Sequence, residues 1–205
     1  MGCYMYSSTS EHDWEKFLEK YVKIDNLEDE KVFLNAVLTY SERQEIQKRV
    51  RIFEELFKNQ LTQKDIAEKL NVSIANVTRG VNVIRSLDYD LKGIFDKLRK
   101  SDDELHGYGT GMGEDGWTEL IDKYDSPREL EDAKWWSLAI FTHAERDEMA
   151  KRVRIFEELY AGKLPQHEIA SKLKVSHANV TRGVNTIRSI QPHYDLKAIL
   201  DKINK

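Results

Sequence analysis

The chain is expected to be all-α, built as two tandem multi-helix domains that repeat one another. Apolar residues recur at i, i+3, i+4 and i+7, as at Trp14, Phe17, Leu18 and Tyr21, and no stretch alternates as a half-buried strand does. Only 3 of the 205 residues are Pro, so long helices go uninterrupted. The third observation is the duplication. KRVRIFEEL stands at 48–56 and again at 151–159, and ANVTRGVN at 75–82 and again at 178–185, both offset by 103. Over 42–86, 31 of 45 positions are identical at that offset without a gap. Units of this length are duplicated domains rather than solenoid repeats.

Taken in order, the first helix of each copy carries Trp14, Phe17, Leu18 and Tyr21, or Trp117, Leu120, Ile121 and Tyr124. A second helix over 28–38 presents Val32, Phe33, Ala36 and Val37 on one face. Ser41 has the chemistry of an N-cap for a longer third helix through Phe57, burying Ile46, Val50, Phe53 and Leu56. Two short helices and a last one over 90–98 complete the copy. The second copy follows the same plan, with two extra residues around Pro192 and His193. Trp135 and Trp136 are neighbours and cannot share a helix face, so one is expected in the core and the other in a partial surface contact. The domains are expected at 11–98 and 116–205. Between them, 99–115 is acidic and Gly-rich, a flexible linker that spans about 60 Å extended or about 23 Å as a coil.

Composition excludes several classes. The single cysteine, Cys3, forms no internal disulfide, and no apolar run approaches the roughly 18 residues of a membrane span. The first residues lack a signal-peptide pattern, and Tyr6 stands where myristoylation wants Ser or Thr. The expected setting is therefore cytoplasmic, with no membrane partner. The six histidines show no metal-ligand spacing, GYGTGMG at 107–113 follows no strand, and no catalytic constellation is visible. No metal site and no enzyme are expected.

The short helices carry the functional signal. Over 62–86, and again over 165–189, a helix of about eight residues, a three-residue break and a second helix have helix-turn-helix spacing. Ile66, Ala67, Leu70, Val72 and Val77 would form the small core, Asn71 the left-handed turn residue and Ser73 the second cap. Ile74, Asn76 and Thr78 would then stand where a recognition helix meets the major groove. Residues 48–85 carry a net charge of +4 and 151–188 of +5, although the whole chain is −4. Basic charge is thus concentrated on the segments expected to face DNA. On spacing alone, two packed amphipathic helices remain the plain alternative.

The combination RVRIFEEL, LTQKDIAEKL and IANVTRG resembles the tryptophan repressor family, and LTYSER at 38–43 and FTHAER at 141–146 resemble its turn into the long helix. The likeness covers nearly all of both halves. Family members are half this length and dimerise through intertwined N-terminal helices. The resemblance therefore implies a monomeric, intertwined pseudo-dimer that binds double-stranded DNA with L-tryptophan as corepressor and no other cofactor. It places Arg49, Arg79, Gly80 and Val83 around one ligand, closed by Thr142, and Arg152, Arg182, Gly183 and Thr186 around another, closed by Thr39. The arginines would sandwich the indole and hold the carboxylate. Without a ligand, Arg49 and Arg152 could pair with helix-face glutamates, and Arg79 and Arg182 could meet phosphate.

The resemblance also places Lys48, Gln63, Lys64, Ile74, Asn76 and Thr78 at DNA, with Lys151, Gln166, His167, His177, Asn179 and Thr181 as their counterparts. Lys64 against His167 and Ile74 against His177 imply an imperfectly palindromic operator, with half-sites about 34 Å apart. The family's serine for the ligand ammonium is Val83 in one half and Thr186 in the other, which implies unequal pockets and a better site at Thr186. An indole acid lacking the amino group is the rival ligand. A ligand-independent regulator and a decoy that pairs with related repressors are the other functions this pattern allows.

Overall fold

The computed structural model describes residues 8–100 and 114–205, so Cys3 and most of the expected linker lie outside the described residues. Twelve helices and no strand are present among the described residues. They are α1 (Ser8–Tyr21), α2 (Leu27–Val37), α3 (Tyr40–Lys58), α4 (Gln63–Lys69), α5 (Ile74–Ser86), α6 (Leu91–Leu98), α7 (Glu114–Lys123), α8 (Leu130–Ile140), α9 (His143–Ala161), α10 (Gln166–Leu173), α11 (His177–Ile190) and α12 (Leu196–Ile203). The all-α expectation holds, and the helices recur in the order the duplication requires.

Local chemistry starts most of them. Asn26 accepts a hydrogen bond from the Asp29 amide at 2.8 Å to cap α2. Asp90 caps α6 through the Gly93 amide, and Asp195 caps α12 through the Ala198 amide. Ser41 is not a cap, because α3 begins one residue earlier and places it in the first turn. Caps trade places with neighbouring positions when the preceding chain enters at a different angle, which spacing alone does not reveal.

The chain forms two compact units that cut across its repeats. One joins the described part of Met1–Thr39 to His143–Lys205, and the other is Tyr40–Thr142.

In the first unit, α1 packs on α9, and α2 packs on α9, α11 and α12. Phe33 is fully buried, with Phe17 at 5.9 Å and Tyr21 at 6.3 Å between ring centroids. Arg154 pairs with Asp13 at 2.7 Å, and Lys20 with Glu157, fastening α1 along α9. Lys202 pairs with Asp25, linking the last helix to the α1–α2 connection.

In the second unit, α3 packs on α7 and α8, and α8 also receives α5 and α6. Phe53, Phe57 and Phe95 form an aromatic cluster, which Trp136 extends at 4.5 Å from Phe95. Neither adjacent tryptophan is fully buried, contrary to the expected division: Trp136 joins this cluster while Trp135 stacks on Tyr89 at 5.0 Å. Both find aromatic partners because α6 and the segment before it lie along α8. Tyr124 donates to Glu54 at 2.6 Å; burial, reinforced by the Glu54 charge, pushes its phenol far above the usual tyrosine range. Residues 98–100 run beside 123–125, with Lys100 N bonded to Lys123 O at 3.0 Å and Asp125 N to Leu98 O at 2.7 Å.

Candidate functional site

In the second unit, α4 and α5 are joined through a turn in which Asn71 takes a left-handed φ of 51°. Thr62 and Asp65 form a reciprocal capping box at the start of α4, and hydrogen bonding to Thr62 holds the Asp65 carboxyl below its ordinary value. Ser73 caps α5 through the Asn76 amide. Ile66, Ala67 and Val77 pack with Ile52 of α3, flanked by Leu56, Leu70 and Val72. These are the core residues expected from the spacing.

The first unit repeats the arrangement with α10 and α11, using Ile155, Ile169, Ala170 and Val180. Lys174 occupies the left-handed position at φ 54°, a conformation lysine adopts far less readily than asparagine. Pro165 precedes α10 without a side-chain cap, whereas Ser176 caps α11.

An ion cluster around a buried carboxylate fixes α4 on α3. Glu55, with a side chain 9% exposed, binds Lys58 at 2.7 Å and Lys69 at 2.8 Å. Burial alone would raise the Glu55 carboxyl, but the two lysine hydrogen bonds outweigh it and hold the pKa below the ordinary value. A depressed carboxylate stabilises the fold above its unfolded pKa and loses that contribution as pH falls through its folded value. Glu55→Gln is therefore expected to cost about 1–2 kcal/mol at neutral pH, since both lysines are half exposed, with the difference shrinking below about pH 4. Thermal melts of both proteins from pH 7 to pH 3 measure this; a constant gap would sink it. In the other unit Glu158 binds Lys172 at 2.6 Å, but Ala161 stands where Lys58 does.

The residues matched to DNA contacts lie as follows. Gln63, Lys64, Ile74 and Thr78 are exposed and Asn76 is half buried. Thr78 donates to Gln63 at 3.0 Å, so these two sit together across the α4–α5 pair. In the first unit His167, His177 and Thr181 are exposed and Gln166 and Asn179 half buried, with Thr181 bonded back to the His177 carbonyl at 3.1 Å. Lys48 pairs with Glu45 at 2.7 Å. Lys151 pairs with Asp147 at 2.6 Å and Glu148 at 3.3 Å, and the Asp147 hydrogen bond raises its ammonium above the ordinary lysine value.

The ligand set of the first unit meets in one cavity of about 300 Å³. Arg152, Arg182, Gly183, Thr186 and Thr39 all line it, together with Ala36, Asn35, Glu148, Lys151 and Asn179. Sequence reasoning missed Asn35 and Glu148 as wall residues, since only the packing of α2 against α9 and α11 brings them there. Gly183 has a second reason to be glycine: a Cβ there would lie 2.7 Å from Ile155 Cγ2, so α11 sits too close to α9 for a side chain. Gly80 repeats this at 3.0 Å from Ile52 Cγ2.

Arg152 donates to the Val37 carbonyl at 2.6 Å, and Arg49 to the Ile140 carbonyl at 2.7 Å. Both carbonyls end a helix, where no intrahelical donor remains and positive charge is favoured. Arg49 and Arg152 thus brace the ends of α8 and α2. In the second unit Arg79 is exposed and Val83 half buried on α5, which packs on α8, while Thr142 is exposed just beyond α8.

The model of the Trp repressor protein family matches this chain twice, over residues 12–99 and 115–203. The chain belongs to the Trp repressor family. It is a tandem duplication within that family, each repeat corresponding to one match. A Trp operon repressor homolog from Chlamydia caviae is 36% identical over 96 residues, covering 47% of this chain and 95% of the relative. Its namesake in Chlamydia trachomatis serovar D is 36% identical over 87 residues, covering 42% of this chain and 93% of the relative. One from Xylella fastidiosa is 37% identical over 70 residues, covering 34% of this chain and 76% of the relative. No solved structure gives a significant match. Among the described residues no helix is long and apolar enough to cross a membrane, and no cluster of potential metal ligands occurs.

Proposed function

We propose that this protein is a sequence-specific, DNA-binding transcriptional repressor of the cytoplasm that uses L-tryptophan as corepressor. One observation carries the reading: the five residues matched to one ligand, four from the second repeat and Thr39 from the first, converge on a single cavity. Its volume of about 300 Å³ lies at the small end of the range of about 300–1,000 Å³ for small-molecule sites, which suits an amino acid. Arg152 and Arg182 supply two guanidinium planes for an indole and a charge for a carboxylate, and Thr186 supplies a hydroxyl acceptor for an ammonium. The capped α4–α5 and α10–α11 pairs, set in segments of net +4 and +5, supply the surface for duplex DNA.

A single chain provides both reading heads, acting as an intertwined pseudo-dimer. The composition of the compact units, each drawn from both repeats, supports this. Lys64 against His167 and Ile74 against His177 make the preferred operator an imperfect palindrome.

The two ligand sites are unequal. Thr186 and Asn35 in the first unit correspond by the repeat offset to Val83 and Leu138 in the second, so the latter has two fewer polar side chains, the hydroxyl matched to the ammonium among them. Calorimetry with L-tryptophan is expected to show one tight and one weak site. Thr186→Val is expected to weaken the tight one about 10- to 150-fold, and Val83→Ser to strengthen the weak one. Two indistinguishable wild-type sites would sink the asymmetry. Silence at millimolar ligand would sink the corepressor, leaving a ligand-independent DNA binder to be judged by its salt dependence on a duplex.

A further inference from the structure

Asn179 belongs to two surfaces at once. It lines the ligand cavity beside Arg182, and it lies in the first turn of α11, where the exposed His177 and Thr181 flank it. Its backbone is fixed, because the Asn179 amide bonds to Ser176 Oγ at 3.2 Å as part of the helix cap. Its side chain is held differently: Asn179 Oδ1 accepts a long hydrogen bond of 3.5 Å from Arg182 Nη1. The repeat supplies a comparison, since Asn76 and Arg79 stand at the same positions on α5 with no such bond.

We propose that Asn179 couples the cavity to the DNA-reading face: a ligand carboxylate takes Arg182 away from it, and the freed amide reads a base. A carboxylate outcompetes an amide oxygen for a guanidinium, because it is itself charged and accepts two parallel N–H bonds from the fork. An unengaged asparagine amide offers the donor–acceptor pair that matches adenine in the major groove. The ligand thereby changes what the helix reads, and DNA in turn tightens the ligand by the same factor. This rests on the function proposed above, with the carboxylate of L-tryptophan as the competing group.

The experiment measures L-tryptophan affinity by calorimetry, and DNA affinity with and without L-tryptophan, on a duplex that the wild-type protein selects from a random pool. Asn179→Ala keeps the backbone cap and removes the side chain that competes for Arg182, so it is expected to bind L-tryptophan at least as tightly as wild type. Its gain in DNA affinity on adding ligand should fall several-fold. Asn179→Asp strengthens the hold on Arg182 and is expected to bind L-tryptophan about tenfold more weakly. Asn76→Ala is expected to weaken DNA binding by one factor whether or not ligand is present. An Asn179→Ala protein whose ligand-induced gain equals wild type overturns the coupling, as does an Asn179→Asp protein with wild-type ligand affinity. A wild-type protein that gives no heat with L-tryptophan overturns the functional reading itself, and the coupling with it; the two failures are thus distinct.

Discussion

Arg182→Ala is expected to remove the tight calorimetric response to L-tryptophan while leaving thermal stability almost unchanged. Arg182 is exposed, and its bond to Asn179 is long, so its truncation should stay within about 0.5 kcal/mol of wild-type stability. In the ligand complex the same guanidinium would hold the carboxylate and stack on the indole. Losing a charge-assisted bond and a desolvated cation–π contact amounts to about 3–5 kcal/mol, or roughly 10²- to 4×10³-fold in affinity. Arg182→Lys is expected to recover little, because an ammonium offers neither the fork nor the plane. Arg152→Ala behaves differently. It also strips the Val37 carbonyl of its 2.6 Å bond and loosens α2 on α9, so affinity and melting temperature should fall together. If Arg182→Ala binds L-tryptophan within threefold of wild type, this arginine does not hold the ligand.

That contrast between two arginines marks the boundary of what the sequence discloses. Helix order, repeat, caps at Ser73 and Ser176 and the small cores around Ile66 and Ile169 follow from spacing and local chemistry, and all were legible. The left-handed residue was predictable at Asn71 but not at Lys174, where the turn imposes a conformation that the side chain disfavours. The bonds from Arg49 and Arg152 to Ile140 and Val37 were not legible, because a backbone carbonyl leaves no mark on residue identity. Nor is the glycine pattern explained by the ligand alone: the resemblance places Gly80 and Gly183 around it, and the structure adds a close helix crossing beneath each. Asn35 escaped notice for a related reason. It lies on α2, more than a hundred residues from Arg152, and only the cross-repeat packing of the first unit brings the two together.

Cross-repeat packing has a consequence for stability that a repeat-by-repeat domain would not show. Phe33 is fully buried in α2 against Phe17 and Tyr21, and α2 packs on α9, α11 and α12. Phe33→Ala is expected to cost about 3–5 kcal/mol, the usual range for emptying a phenylalanine site in a tight core. For a chain of this size that lowers Tm by about 6–20 °C. The position of the damage is the sharper test. Hydrogen exchange should accelerate in α9 to α12, which share a unit with Phe33, and much less in α3 to α5, which share only its repeat. Local opening follows the contacts that are lost rather than chain proximity. Acceleration confined to α1 to α6 would mean that each repeat folds on itself in solution, and the cavity at Arg152 would lose its wall of Ala36 and Thr39. Loss of the tight L-tryptophan site in Phe33→Ala, although Phe33 does not line the cavity, is the functional counterpart of the same prediction.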